Sequence, residues 1–459
     1  MVADPRQARR YVLIMGCFVL VLLASIPAMN VIVDPLGYAR AAGWRPSNPT
    51  ATEAALAAGG AWPVPHGTRE AKMLNVGHYA PQSVLFGSST VWSYVDAGYL
   101  PLRAGDGRSA FNFGLPGISA RELLGAFEHV VALNPPKRIV IGLEFYMFSA
   151  DKLNSPGFFD LPMAQRSSYR FDFAQFIGRR LLTADHTYAA LALLWEPLVK
   201  RMASLWAEQT KTLSWFPFAG PNYGIGVGGG DRPAAAPAPV APAARTARAD
   251  FLKMMLDGDR VIIAGIYPAP GQPFRFVDDA GWSSLDAIRR MISLARAHDI
   301  DLRFYLSPSH ARSYEAIRLM GWWPEFEAWQ RELAAMVEED ARAHPDRPRI
   351  PLWDFGGFNS VTTDTVVDLP PNPAGFARYA DSIHFKTDVG YMFMDRMFGT
   401  AGAQAIPPDF GVLLGGDTVE GHLARMREAQ RAYASENAAD IADVAAVLES
   451  LGRLKPLAP

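Results

Sequence analysis

The chain has 459 residues, 49% of them hydrophobic, enough for one large α/β domain with insertions or for two domains with a sizeable core. Its 44 basic and 46 acidic side chains leave a formal charge of −2, with no long single-sign run after the first dozen residues, so nucleic acid is not an expected partner. The single cysteine, Cys17, excludes an intramolecular disulfide and a cysteine-based metal site, and the nine histidines show no ligand spacing, so neither a metal nor another cofactor is expected.

The first element is the apolar run 11–33, which carries no charged residue and as a helix spans about 34 Å, enough for a bilayer core. Arg6, Arg9 and Arg10 precede it and Asp34 follows, so the positive-inside rule leaves residues 1–10 in the cytoplasm and the bulk of the chain outside. The pattern predicts an uncleaved single-pass anchor in the inner (cytoplasmic) membrane, with the rest periplasmic. The run is too long for a cleaved signal peptide, "SIPAMN" is a poor cleavage site, and almost nothing hydrophobic precedes Cys17 to make "LIMGC" a lipoprotein signal. Residues 34–82, rich in Ala, Gly and Pro without a period, read as a stalk or strap.

Strands follow at 83–86, 109–114, 137–143, 300–306 and 349–355, each separated from the next by helical sequence or an insertion, as parallel strands with crossover helices require. Between the second and third strands, Ser119 with Glu122 makes a capping box, Leu123, Leu124, Phe127, Val130 and Val131 form one apolar face, and "NPP" stops the helix. Further amphipathic helices are predicted near 284–298 and 325–343. The α/β domain thus comes in two parts, 83–150 and 281–400, split by an insertion at 151–280 that begins helical and passes through a Gly/Ala/Pro-rich stretch, about 215–247, predicted to be disordered. A GxGxxG match at Gly224 to Gly229 follows no strand and signals no nucleotide site. Residues 401–459 read as a helical extension.

Two stretches carry the chemistry. "SVLFGSSTVW", 83–92, ends a buried strand on Gly87 and two serines, which serve either as a helix cap or as a nucleophile at the carboxyl edge of a parallel sheet. "YADSIHF" holds Asp381 and His384 three apart, a spacing at which a carboxylate orients an imidazole toward a nucleophile, or at which an ordinary surface pair forms. With "NFGLPG" and "GLEF" at intervening strand ends, the order favours a Ser-His-Asp site.

These blocks resemble the SGNH or GDSL hydrolase superfamily over about 84–144 and 300–398. The resemblance implies a three-layer α/β/α flavodoxin-like fold, with Ser89 as nucleophile, His384 as general base, Asp381 as its orienting acid and the Gly117 amide in the oxyanion hole. Two departures stand out: Ser88 replaces the aspartate of the G-D-S block, and Glu144 replaces the asparagine that donates to the oxyanion. Asn112 is a conceivable substitute donor, and His310, just past the fourth strand, a conceivable cleft residue or a structural one. Trp322 and Trp323 suit either a sugar platform or core packing.

The implied function is acyl transfer on an ester, an O-acetyl group of an envelope or exported polysaccharide being the substrate that the anchor suggests. Membrane-tethered relatives imply a multi-pass acyl-donor partner. The rival expectation is a scaffold or glycan-binding component that keeps the fold with a degraded oxyanion hole.

Overall fold

The computed structural model describes residues 5–33, 80–105, 108–152, 243–369, 372–400, 402 and 405–455, with isolated positions between 69 and 77 and at 187 and 191. Most of the stalk and most of the insertion, including nearly all of 215–247, lie outside the described residues. The low-complexity stretch is nevertheless already helical from Ala243.

Two compact units divide the chain. The first gathers Met1–Thr50, Pro63–Tyr79 and Ala164–Pro237. It contains helix α1, Pro5–Val33, whose Arg9–Val33 stretch is 25 residues long and apolar enough to cross a membrane. Within this unit Asn30 Nδ2 donates to Thr187 Oγ1 at 2.9 Å.

The second unit is α/β. β1 (Ser83–Gly87) is followed by the short helices α2 (Ser89–Tyr94) and α3 (Tyr99–Ala104), β2 (Ala110–Gly114), α4 (Ala120–Leu133) and β3 (Arg138–Leu143). Helices α5 (Ala243–Ile266) and α6 (Ser284–Ala297) lead to β4 (Asp301–Leu306), and α7 (Ala311–Leu319) and α8 (Trp323–Ala343) lead to β5 (Leu352–Asp354). A hairpin, β6 (Val366–Leu369) with β7 (Asn372–Phe376), precedes α9 (Thr387–Phe398), β8 (Val412–Leu414), α10 (Val419–Glu436) and α11 (Ala438–Ser450).

The main sheet has the order β2-β1-β3-β4-β5-β8, parallel except for the antiparallel edge strand β8. Both faces are covered, which is why its strands read as continuous apolar runs rather than alternating ones. Successive side chains point to opposite faces. Phe86 accordingly meets Phe127 of α4 at 6.0 Å between ring centroids, while Tyr305 stacks on Phe393 of α9 at 4.5 Å on the other side. The chain leaves β1 for β2 on one side and later returns to β3 on the other. That switch point opens a crevice at the carboxyl ends of β1 and β3, where open α/β sheets place their ligands.

Trp322 is buried against Phe274 and Tyr267, and Trp323 packs on Phe326 and Phe358 while donating from Nε1 to Glu327. The two tryptophans therefore pack the domain instead of forming a sugar platform.

Candidate active site

The crevice begins with the tight turn from β1 into α2. A Cβ on Gly87 would stand 2.3 Å from Val91 Cγ2, and one on Gly114 would stand 2.3 Å from the Trp92 backbone nitrogen. Glycine at both strand ends therefore lets α2 lie directly on them. Ser88 is the N-cap of α2, its Oγ accepting from the Thr90 N–H at 3.2 Å, and Ser89 is the first helical residue. Capping and exposure of a neighbouring hydroxyl are thus divided between the two serines.

Ser89, half-buried, donates from Oγ to His384 Nε2 at 2.7 Å across 295 residues of sequence. His384 Nδ1 faces Asp381 Oδ2 at 2.6 Å, and the other carboxylate oxygen accepts the backbone N–H of Ile383 at 2.8 Å and of His384 at 2.7 Å. Asp381 thereby turns its own loop and fixes the imidazole within it. With Nδ1–H bound to the carboxylate, Nε2 is the nitrogen free to take the serine proton.

The loop is clamped from the N-terminal side of α7. His310 N–H and Ser313 Oγ–H both donate to the Ser382 carbonyl, at 3.1 and 2.5 Å, and Tyr379 Oη–H donates to the Pro308 carbonyl at 2.7 Å. The Tyr94 ring lies 5.8 Å from the His384 ring and forms a wall of the crevice.

Burial by itself would lower the His384 pKa, but the hydrogen bond and charge of Asp381 hold it above the usual histidine range. Burial would raise Asp381, yet its bonds to His384 and to the two amides hold it below the usual carboxylate range. The imidazolium is therefore stabilised at this site, the property a base needs when it takes a proton from a hydroxyl.

Glu144 stands at the end of β3, 7% exposed, and its Oε1 accepts from Ser88 Oγ at 2.6 Å and from Thr90 Oγ1 at 2.8 Å. Burial pushes its pKa up. Gly117 lies in the loop after β2 with φ +63°, a left-handed conformation that favours glycine. Neither its N–H nor that of Ser89 has an intramolecular acceptor among the described residues.

Two sequence expectations are corrected. The Asn112 amide is spent on the Val91 carbonyl at 2.7 Å and the Val95 carbonyl at 3.0 Å, while its Oδ1 accepts the Gly114 N–H at 2.9 Å. It fastens α2 to β2 and has no donor left for an oxyanion. His310 is fully buried and caps α7: Nδ1 accepts from the Arg312 N–H and Nε2 donates to the Asp364 carbonyl, so burial holds it neutral, its pKa lowered to about 4. It supports the His384 loop from behind and does not line the crevice.

Ser88, Thr90 and Ser313 were not singled out as partners by the sequence; the run of hydroxyls in "GSST" was the only sign of the first two. Among the described residues no group of three or more His, Cys, Asp or Glu side chains is placed to hold a metal ion. Comparison with protein-family models and with curated proteins found no match to this chain.

Proposed function

We propose that this chain is a membrane-anchored, extracytoplasmic serine acyl-transfer enzyme of the SGNH type, acting on O-acetyl groups of an envelope or exported polysaccharide. The observation that carries the reading is the hydrogen-bonded relay from Ser89 through His384 to Asp381, at 2.7 and 2.6 Å. The sheet order also supports it, since β2-β1-β3-β4-β5 is the order of flavodoxin-like doubly wound folds.

In this mechanism Ser89 Oγ attacks the ester carbonyl while His384 Nε2 takes its proton, and Asp381 stabilises the imidazolium. The amides of Ser89 and Gly117 receive the oxyanion. His384 then protonates the departing sugar oxygen, leaving an acetyl group on Ser89. Water or a second sugar hydroxyl, deprotonated by His384, takes the acetyl group and frees the serine.

A second reading, a catalytically silent scaffold or glycan-binding component, is favoured by one feature: Glu144 stands where the resemblance places an amide donor, and Asn112 does not replace it. Acetate release from a small chromogenic acetyl ester separates the two. The enzyme reading expects turnover by the wild type and its loss in Ser89→Ala; equal, background rates for both establish the scaffold.

A further inference from the structure

Glu144 is an acid buried in the crevice with an unusual set of partners. Its Oε1 takes two hydroxyls, one from the residue before Ser89 and one from the residue after it. Its Oε2 makes no hydrogen bond among the described residues, and the charges that act on it most strongly are those of His384 and Asp381. Ser88 Oγ cannot turn away without cost, because it simultaneously accepts the Thr90 N–H. The nucleophile is thus bracketed by one carboxyl oxygen.

We propose that Glu144 works as an uncharged carboxylic acid and is the positioning residue for the nucleophile, its carbonyl oxygen clamping Ser88 and Thr90 so that Ser89 faces His384. The inference rests on the enzyme reading above. A neutral acid still accepts both hydroxyls on its carbonyl oxygen, more weakly than a carboxylate would, and keeps its proton on Oε2; the two hydroxyl bonds favour the charged form, but burial outweighs them. It also resolves the departure at this position: a carboxylate next to a developing oxyanion repels it, whereas a carboxylic acid does not.

The surroundings agree. His384 and Asp381 face Glu144 from the catalytic loop, with opposite effects on its charge, and burial outweighs both. Other titratable neighbours include the hydroxyls of Tyr267 after α5, Tyr305 on β4 and Tyr314 on α7, together with Tyr146 and Asp354, which share a cavity with Glu144; Asp354 is paired to His422 at 2.7 Å. That cavity, about 30 Å³, is also lined by Ser307 and Gln330, whose Oγ and Oε1 are buried without partners. It has room for about two waters to satisfy them.

The test uses the full chain in detergent. Infrared spectra of the wild type at neutral pH should show a protonated-carboxyl C=O band, shifted in D₂O and missing from E144Q. E144Q keeps the accepting oxygen and places an NH₂ where the acid holds its proton, so it should retain activity within about 3-fold, whereas E144A should lose about 10–100-fold by leaving both hydroxyls unsatisfied. Wild-type activity should fall on the alkaline side as Glu144 ionises, and E144Q should lack that fall while its acid limb stays in place. An ionised Glu144 predicts the reverse: no band, an acid limb moved down in E144Q because His384 loses a supporting charge, and E144Q as impaired as E144A. Unfolding midpoints of the two variants separate lost positioning from lost folding. If the wild type neither turns over an ester nor is labelled at Ser89 by a phosphonate, the enzyme reading itself falls and takes this one with it; a missing band with labelling intact overturns only the neutral clamp.

Discussion

Ser88, Ser89 and Thr90 are three consecutive hydroxyls with separate duties, two of them held by Glu144 and the middle one by His384. A serine-directed phosphonate should therefore label the chain at Ser89, with labelling abolished in Ser89→Ala. Ser88→Ala should keep most labelling yet lose about 1–2 kcal/mol of stability, because the N-cap is gone and Glu144 loses a donor, as denaturant unfolding will register. If the two variants label alike, Ser89 is not the nucleophile. The pH profile tests the partner. The proposed mechanism needs neutral His384, and its pKa is raised, so kcat/KM should climb with pH through a midpoint above the ordinary histidine value of about 6.5. Asp381→Asn removes the charge that raises it. The midpoint should then drop, with turnover reduced on the order of 10³–10⁴-fold because the imidazole tautomer is no longer enforced. A midpoint unchanged in Asp381→Asn contradicts the assigned coupling.

Elements test a different layer of the structure. The Ser119 capping box is present, with Ser119 Oγ accepting the Glu122 N–H at 3.1 Å and the Glu122 carboxylate accepting the Ser119 N–H at 3.3 Å. Ser119→Ala should cost about 1 kcal/mol in chemical denaturation and leave kcat unchanged, since α4 covers the sheet face away from Tyr305 and α9. Asn112→Ala should cost about 1–3 kcal/mol, from the loss of its hydrogen bonds to the Val91 and Val95 carbonyls, and should also lower kcat, because α2 carries Ser89. The five parallel strands and the helices α4, α6 and α8 were legible in the sequence, because long apolar runs with clear stops leave one interpretation. β8 was not, being three residues long, too short to show a period. The β6–β7 hairpin was hidden by Pro370, Pro371 and Pro373, which argue against strands wherever they appear. At the site, Ser89, Asp381 and His384 could be read from motif and order. The duties of Asn112 and His310 could not, because both are set by partners from other elements that only the folded chain brings near.

At the scale of the whole molecule, α1 offers an apolar stretch long enough to cross a bilayer, and three arginines precede it. A reporter active only outside the cytoplasm, fused after residue 459, should work, and the full-length chain should sediment with membranes. A silent reporter or a shortened soluble form contradicts that topology. The spacing of the relay along the chain adds a consequence in time. Ser89 and His384 are separated by 295 residues, which at roughly 5–20 residues per second takes the ribosome about 15–60 s to synthesise. Until that interval has passed the serine has no base, and a nascent chain emerging N-terminus first carries only an ordinary alcohol at this position. The Ser89–His384 hydrogen bond therefore waits for the last sixth of the sequence, and premature termination anywhere before His384 yields a chain without the proposed general base.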